Sequence, residues 1–235
     1  MCIFMYPDMK SQMDDVSNMF SGMGGFTAAF GMDRIDFSSI MGFYGIECGS
    51  IIAIGGAFYA GISGVSILSK EEHIHTAEFL FSHPLSRKSI IAQKFAACIT
   101  QIIVLNVFCF ALSTVSFVII GEEIAWDQYS LFHIAQLLSQ IEIASVCFGV
   151  SAFLRHGGIG IGVGIAAVFY FLNIFENISD KVSALRYLTP FSYTDAADIF
   201  TQNSLDAGLI AVGMILAAAG VITAFIKYSS KDLSV

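Results

Sequence analysis

Charge is scarce in this chain. Only 13% of its 235 residues are Asp, Glu, Lys or Arg, 11 basic against 19 acidic. The net charge of -8 and a pI near 4.9 argue against nucleic acid as a partner, which would call for clustered Lys and Arg. The motifs of resident chemistry are also missing. Among the five cysteines there is no C-x-x-C pair for zinc or redox work. Cys48, Cys98, Cys109 and Cys147 lie in apolar runs and read as small buried hydrophobes. His73 and His75 stand two apart, so they do not share a helix face, and no H-E-x-x-H pattern exists. Neither they nor His83 is expected to hold a metal. The glycine-rich run Gly157 to Gly164 has no preceding strand and no Lys-Ser/Thr, which excludes both a Rossmann fingerprint and a Walker loop. The chain is therefore not expected to bind or hydrolyse ATP, or to carry any cofactor of its own. Met1 to Tyr6 is apolar but short and lacks a basic flank, unlike a cleavable signal peptide.

What the chain does have is apolar length. Apolar residues make up 56% of it and the mean hydropathy is +0.75. Continuous, non-alternating runs of about 20 residues predict membrane-spanning helices rather than barrel strands. The expected fold is all-α, a polytopic transmembrane helical bundle with five spans at about 43–68, 95–120, 129–154, 159–175 and 207–226, and with short interfacial helices. Trp126, beside Glu122, Glu123 and Asp127, is an expected interfacial anchor. Gly56, Ala60 and Gly64 form a small-residue stripe that invites close helix approach, and Gly160-x-x-x-Gly164 suggests a second packing face. Residues 1–42 read as a segment lying at the surface, 43–235 as the membrane domain, and 176–206 as a polar outer segment with a second short helix near its end.

The polar exception is the stretch from Lys70 to Lys94. It carries Lys70, Arg87, Lys88 and Lys94, and three of the five histidines, between two apolar runs. Ile74, Ala77, Leu80 and Phe81 recur at helical spacing, so a short amphipathic helix is expected over 70–81. His83-Pro84 ends it, and Ser86 is placed to cap the next helix. Lys70, Arg87, Lys88, Lys94, Arg155, Lys227 and Lys231 fall on one side of the membrane, against Lys10, Arg34, Lys181 and Arg186 on the other. The first side, with the elbow at 69–94 and the C-terminus, is therefore expected to be cytoplasmic. Arg87 and Lys88 would also meet anionic lipid headgroups there.

The elbow resembles a signature of ATP-binding-cassette (ABC) transporter permeases of the type-2 export class, on Glu71, Glu72, Thr76, Glu78, Leu80, Ser82, Pro84, Leu85, Ser86, Arg87 and Lys94. Leu188-Thr-Pro-Phe-Ser-Tyr193 and Lys231-Asp232-Leu233 look like the same family. The resemblance implies a multi-pass subunit of the cell membrane, of the bacterial plasma-membrane kind. It implies partners too: a second permease copy or paralogue, and a separate cytosolic ATPase that binds the ATP and magnesium. Glu71, Glu72, Thr76, Glu78, Leu80, Pro84, Ser86 and Arg87 would form the ATPase-coupling element, with translocation lined by the glycine-rich first and fourth spans. Family members usually begin with a cytosolic amphipathic helix and a first span, which residues 1–42 lack; Cys2 to Tyr6 reads as the outer end of such a span. The alternative is a non-transporting membrane scaffold or regulatory subunit.

Two acids interrupt apolar runs, Glu47 and Glu142, where an unpaired carboxylate costs on the order of 3 kcal/mol. They read either as part of a substrate or cation path or as hydrogen-bonding groups between helices, Glu47 also as a residue near the outer interface. An intramembrane enzyme would need paired catalytic groups at one depth, and these two are its only candidates.

Overall fold

The computed structural model describes residues 2–10, 24–32, 34–36, 38–73, 86–154 and 158–229. Five helices in it are long and apolar enough to cross a membrane: Ile40–Leu68, Arg87–Ile120, Trp126–Ser151, Ile159–Ile178 and Ala207–Ser229, here called the first to fifth spans. No strand occurs among the described residues. The fold is an all-α helical bundle. Successive spans alternate in direction, so one end of the bundle carries the elbow and the other carries most of the acids; these are the elbow end and the acidic end below.

The third span is the central element. Of its most apolar window 67% is buried, against 11% to 39% for the other four, although it is the least hydropathic of the five. A helix that is both polar and buried needs neighbours that approach closely, and small residues provide them. Gly56 faces the Gln140 side chain, Ala60 is fully buried, and Gly64 lies against the Ala144 carbonyl and Cys147. The expected first-span stripe thus packs on the third span. Gly149 and Gly220 bring the third and fifth spans together in the same way.

The Gly160 and Gly164 face does not pack: a Cβ at either position would meet nothing within 4 Å. The fourth span turns Gly158, Gly162 and Ala166 inward instead, with Gly162 against the backbone of Gly61. Two residues along a helix is about 200°, so the packing face lies nearly opposite the expected one.

Helix boundaries run past the apolar runs. The first span begins with a turn of α-helix, Ile40–Phe43, capped by Ser39, whose hydroxyl accepts from the Gly42 N–H. It passes through a π-helical segment, Tyr44–Cys48, and continues as Gly49–His73. The second span's helix starts at Arg87, eight residues before the apolar run, because Ser86 caps it: the Ser86 hydroxyl accepts from Ser89 N–H at 3.2 Å. It ends at Gly121, whose φ of 75° is the left-handed conformation that glycine adopts without strain.

At the acidic end lie a 3-10 turn (Cys2–Met5), a short helix (Tyr6–Lys10), another at Gly24–Ala29, a 3-10 helix (Asp180–Tyr187) and a helix at Ala196–Gln202. Tyr6 is buried against Phe43 and donates to the Ser38 carbonyl at 2.9 Å, fastening the first residues to the mouth of the first span.

Candidate functional site

Three places carry the residues that sequence reasoning singled out. At the elbow, residues 74–85 lie outside the described residues, and with them Thr76, Glu78, Leu80 and Pro84. Lys70 to His73, expected to open a separate amphipathic helix, continue the first span's helix without a break, and Glu71 and Glu72 fall within this continuation. Nothing between Gly49 and His73 caps or breaks a helix, so the first span's ladder of hydrogen bonds carries on past the apolar run. Arg87 is exposed in the first turn of the second span and donates to the Ser229 carbonyl at 3.5 Å, at the C-terminal end of the fifth span. A cation there complements the helix dipole. Lys94 donates to the Ile67 carbonyl at 2.8 Å, and Leu68, Ile91, Phe148, Ala152, Ala224 and Tyr228 form one buried cluster beside it. The two helices that flank the elbow are therefore tied to each other and to the third and fifth spans.

The second place is the polar ladder of the third span. His133, Gln136, Ser139, Gln140, Glu142 and Ser145 are all buried. Gln140 accepts from the Asn106 amide at 2.7 Å, bridging to the second span, and the same amide also reaches the Ile102 carbonyl at 2.9 Å. His133 Nε2 lies 2.8 Å from the Tyr44 hydroxyl, which donates to Ser113 at 3.1 Å, so the first three spans meet at one polar point. Glu142 is 2% exposed and accepts a 2.9 Å hydrogen bond from the Tyr193 hydroxyl. On its other side lies Gly213 of the fifth span, where any Cβ would collide with the carboxylate. Glu47 is half-buried in the π-helical segment. Gly49 faces Phe132, whereas Gly56 faces Gln140 and Gly64 faces Ala144, so the first and third spans run side by side in register. Glu142 is then level with about residue 59, roughly 18 Å along the axis from Glu47. The two acids do not converge, and no paired catalytic group forms between them.

Tyr193 reaches Glu142 because residues 189–194 are buried, where a polar outer segment was expected. Thr189-Pro-Phe-Ser-Tyr-Thr194 folds into the bundle with acceptors for Thr189, Tyr193 and Thr194, while the buried Ser192 hydroxyl has no partner among the described residues. The Thr189 hydroxyl donates to the Phe169 carbonyl at 2.8 Å, and the Thr194 hydroxyl to the Phe191 carbonyl at 2.9 Å. Phe191 stacks edge-on against Tyr170 of the fourth span.

The third place adjoins this segment. A cavity of about 70 Å³ opens between the acidic ends of the first, third and fourth spans, beside Thr194 to Ala197 and Ala29 to Gly31. Its rim is held by ions. Arg34 donates to Asp195 at 2.5 Å and to Asp198 at 2.8 Å, while Asp195 also caps the Ala196–Gln202 helix by accepting from Ala197 N–H. Burial, and then the adjacent Asp195 carboxylate, push the Asp198 carboxyl above the usual range against the pull of Arg34. Nearby, Lys10 pairs with Glu122 at 3.1 Å, and that hydrogen bond raises the Lys10 ammonium above its ordinary value.

Sequence reasoning singled out Glu142 but not Asn106, His133, Gln136, Gln140 or Tyr193 as its companions. The spacing of His133, Gln136 and Gln140 at three and four residues was the available signal, since it puts three polar groups on one face of an apolar helix. For Tyr193 there was none, because its partner lies 51 residues away. Among the described residues no group of three or more His, Cys, Asp or Glu could hold a metal.

No curated protein and no solved structure matches this chain. A family does. The ABC-2 family transporter protein family matches residues 2–233, nearly the whole length. With five apolar helices long enough to span a bilayer, the chain belongs to the ABC-2 transporter family, as a multi-pass permease component.

Proposed function

We propose that this chain is the membrane-spanning permease subunit of an ATP-driven exporter, coupled to a separate cytosolic ATPase through the elbow at 70–94. The family match across residues 2–233 carries this reading. ATP and magnesium are held by the partner, and the elbow end lies in the cytoplasm by the excess of Lys and Arg there. The second span's 34-residue helix is roughly 50 Å long, against about 30 Å of hydrocarbon, so it projects well beyond the bilayer. The Lys94 bond to Ile67 and the Leu68 and Ile91 packing join it to the first span's helix. A push on the elbow therefore moves both helices as one body, the kind of rigid displacement by which packed helices switch.

Within this reading Glu71, Glu72, Thr76, Glu78, Leu80 and Pro84 meet the ATPase. Ser86 and Arg87 fix the start of the second helix. Glu142 anchors the 189–194 segment, and a path past it requires Tyr193 to move away. Two copies of the chain, or this chain and a paralogue, complete the transporter in the lipid bilayer.

The test is purification of the tagged chain from its native membrane. A permease brings down a nucleotide-hydrolysing subunit whose ATP turnover changes with the permease present. A scaffold brings down other proteins with no effect on ATP hydrolysis, and that result would overturn the proposal.

A further inference from the structure

The second and fifth spans both pack on the third and touch each other little, so a groove of about 390 Å³ lies between them with the third span as its floor. Phe95 and Ile99 line it from the second span, Ile141 from the third, and Val221 and Ile222 from the fifth. Ser145 is the one polar residue on the lining, and its hydroxyl is donated to the Ile141 carbonyl at 2.7 Å. A polar occupant would bury its groups here without partners, so the groove suits hydrocarbon.

The elbow end of this groove is cationic. Lys88 stands seven residues before Phe95, and Ser229 seven after Ile222, so both lie two turns, about 10 Å, outward along the faces that line it. Arg87 bridges the two spans above the groove by donating to the Ser229 carbonyl at 3.5 Å. Lys227, over the Phe153 ring, adds a cation at the same level. Arg87 and Lys88 are both exposed, and neither the second nor the fifth span carries an acid.

The spacing matches a phospholipid. Headgroups add roughly 5–8 Å of polar depth to each side of the hydrocarbon, and the long stems of Arg87 and Lys88 reach across the remainder. An anionic phosphate beside them starts its acyl chain level with Phe95 and Ile222. A second copy of the chain fits less well. Its two-fold axis would run along the membrane normal and would bring the cations of one copy against the same cations of the other.

We infer that this groove binds one acyl chain of an anionic phospholipid, whose phosphate is held by Arg87 and Lys88. Basic pockets between spans hold anionic headgroups in the same way. Such binding involves neither nucleotide nor ATPase and does not depend on which side of the membrane the elbow end faces, so its failure leaves the coupling reading standing.

The experiment is photo-crosslinking of the purified chain in phosphatidylcholine nanodiscs that contain a trace of phosphatidylglycerol or phosphatidylcholine with a diazirine on its acyl chain. Labelled peptides are mapped by mass spectrometry, with residues 104–108, on the exposed face of the second span, as the reference for ordinary lipid. The phosphatidylglycerol probe should label residues 95–99 or 214–222 at least fivefold more than the phosphatidylcholine probe does. Lys88→Gln with Arg87→Gln should bring the two probes level, and Ala218→Phe, which fills the groove from the fifth span, should remove the label from both peptides. Lys88→Gln alone, at an exposed position, should cut the preference at least twofold and decides the matter if the other variants melt early. Equal labelling by the two probes would mean ordinary lipid only and would overturn the inference. A preference that survives loss of both cations, or crosslinks from the groove to a second copy in place of lipid, would overturn it as well.

Discussion

The hydrogen bond from Tyr193 to Glu142 ties a connecting segment to the middle of the bundle, and its strength can be worked out beforehand. Both residues are buried, at 6% and 2% exposure, and the 2.9 Å bond is the one that the Tyr193 hydroxyl donates to this carboxyl. Hydrogen bonds between membrane helices average about 0.6 kcal/mol and reach about 1.7. In protein interiors, hydrogen bonds contribute about 0.5–1.5 kcal/mol between neutral groups and about 1.5–3 kcal/mol to charged ones. Because protein encloses this pair on both sides, Tyr193→Phe should destabilise the chain by about 1–2 kcal/mol. Glu142→Gln keeps an acceptor in place and should cost less. Glu142→Leu removes it, so in a cycle with Tyr193→Phe the pair should show a coupling energy of about 1 kcal/mol, roughly a fivefold change in the unfolding equilibrium. Reversible unfolding of the four proteins in bilayer nanodiscs measures this. A coupling within about 0.3 kcal/mol of zero, where independent sites fall, would refute the docking of residues 189–194 into the bundle.

Other consequences follow from the same packing. Gly61→Val or Gly162→Val pushes a side chain into the facing backbone and should lower stability by about 1–3 kcal/mol, whereas Gly160→Val and Gly164→Val should be near neutral in thermal melts. Ser86→Ala should cost about 0.5–2 kcal/mol by removing a helix cap, read as earlier melting and as faster amide exchange at Ser89. The two acids that share Arg34 should differ. Asp195→Ala removes both a cap and an ion pair and should destabilise by about 1 kcal/mol. Asp198 has its folded pKa raised, so the folded chain holds that proton more tightly than the unfolded one. Its contribution favours folding at low pH and is lost as the pH rises through the folded value. Asp198→Asn should therefore flatten the fall in stability between acid and neutral pH, as followed by melts across that range.

The spans were legible because a bilayer demands long apolar helices, and length and composition report that directly. Ends were less so. Helices continue through Lys70 to His73 and start at Arg87 because caps and breakers, not hydropathy, set where a helix stops. The fourth-span packing face was misplaced because Gly158, Gly160, Gly162 and Gly164 alternate, and composition does not say which pair a neighbour meets. The buried 189–194 segment reads as polar because its Thr and Ser residues are polar. The acceptors that ease its burial, the Phe169 and Phe191 carbonyls and Glu142, are brought to it by the folded chain. Glu142 was visible as an anomaly in an apolar run, but its anchor was not, since nothing local links residue 142 to residue 193.

On the proposed function, a partner ATPase grips the elbow end of the bundle. A photo-crosslinking residue placed at Glu78 in native membranes should capture a subunit that also labels with a reactive ATP analogue, while the same residue at Trp126 should not. Capture of such a subunit from Trp126 alone, or from neither position, would contradict the account.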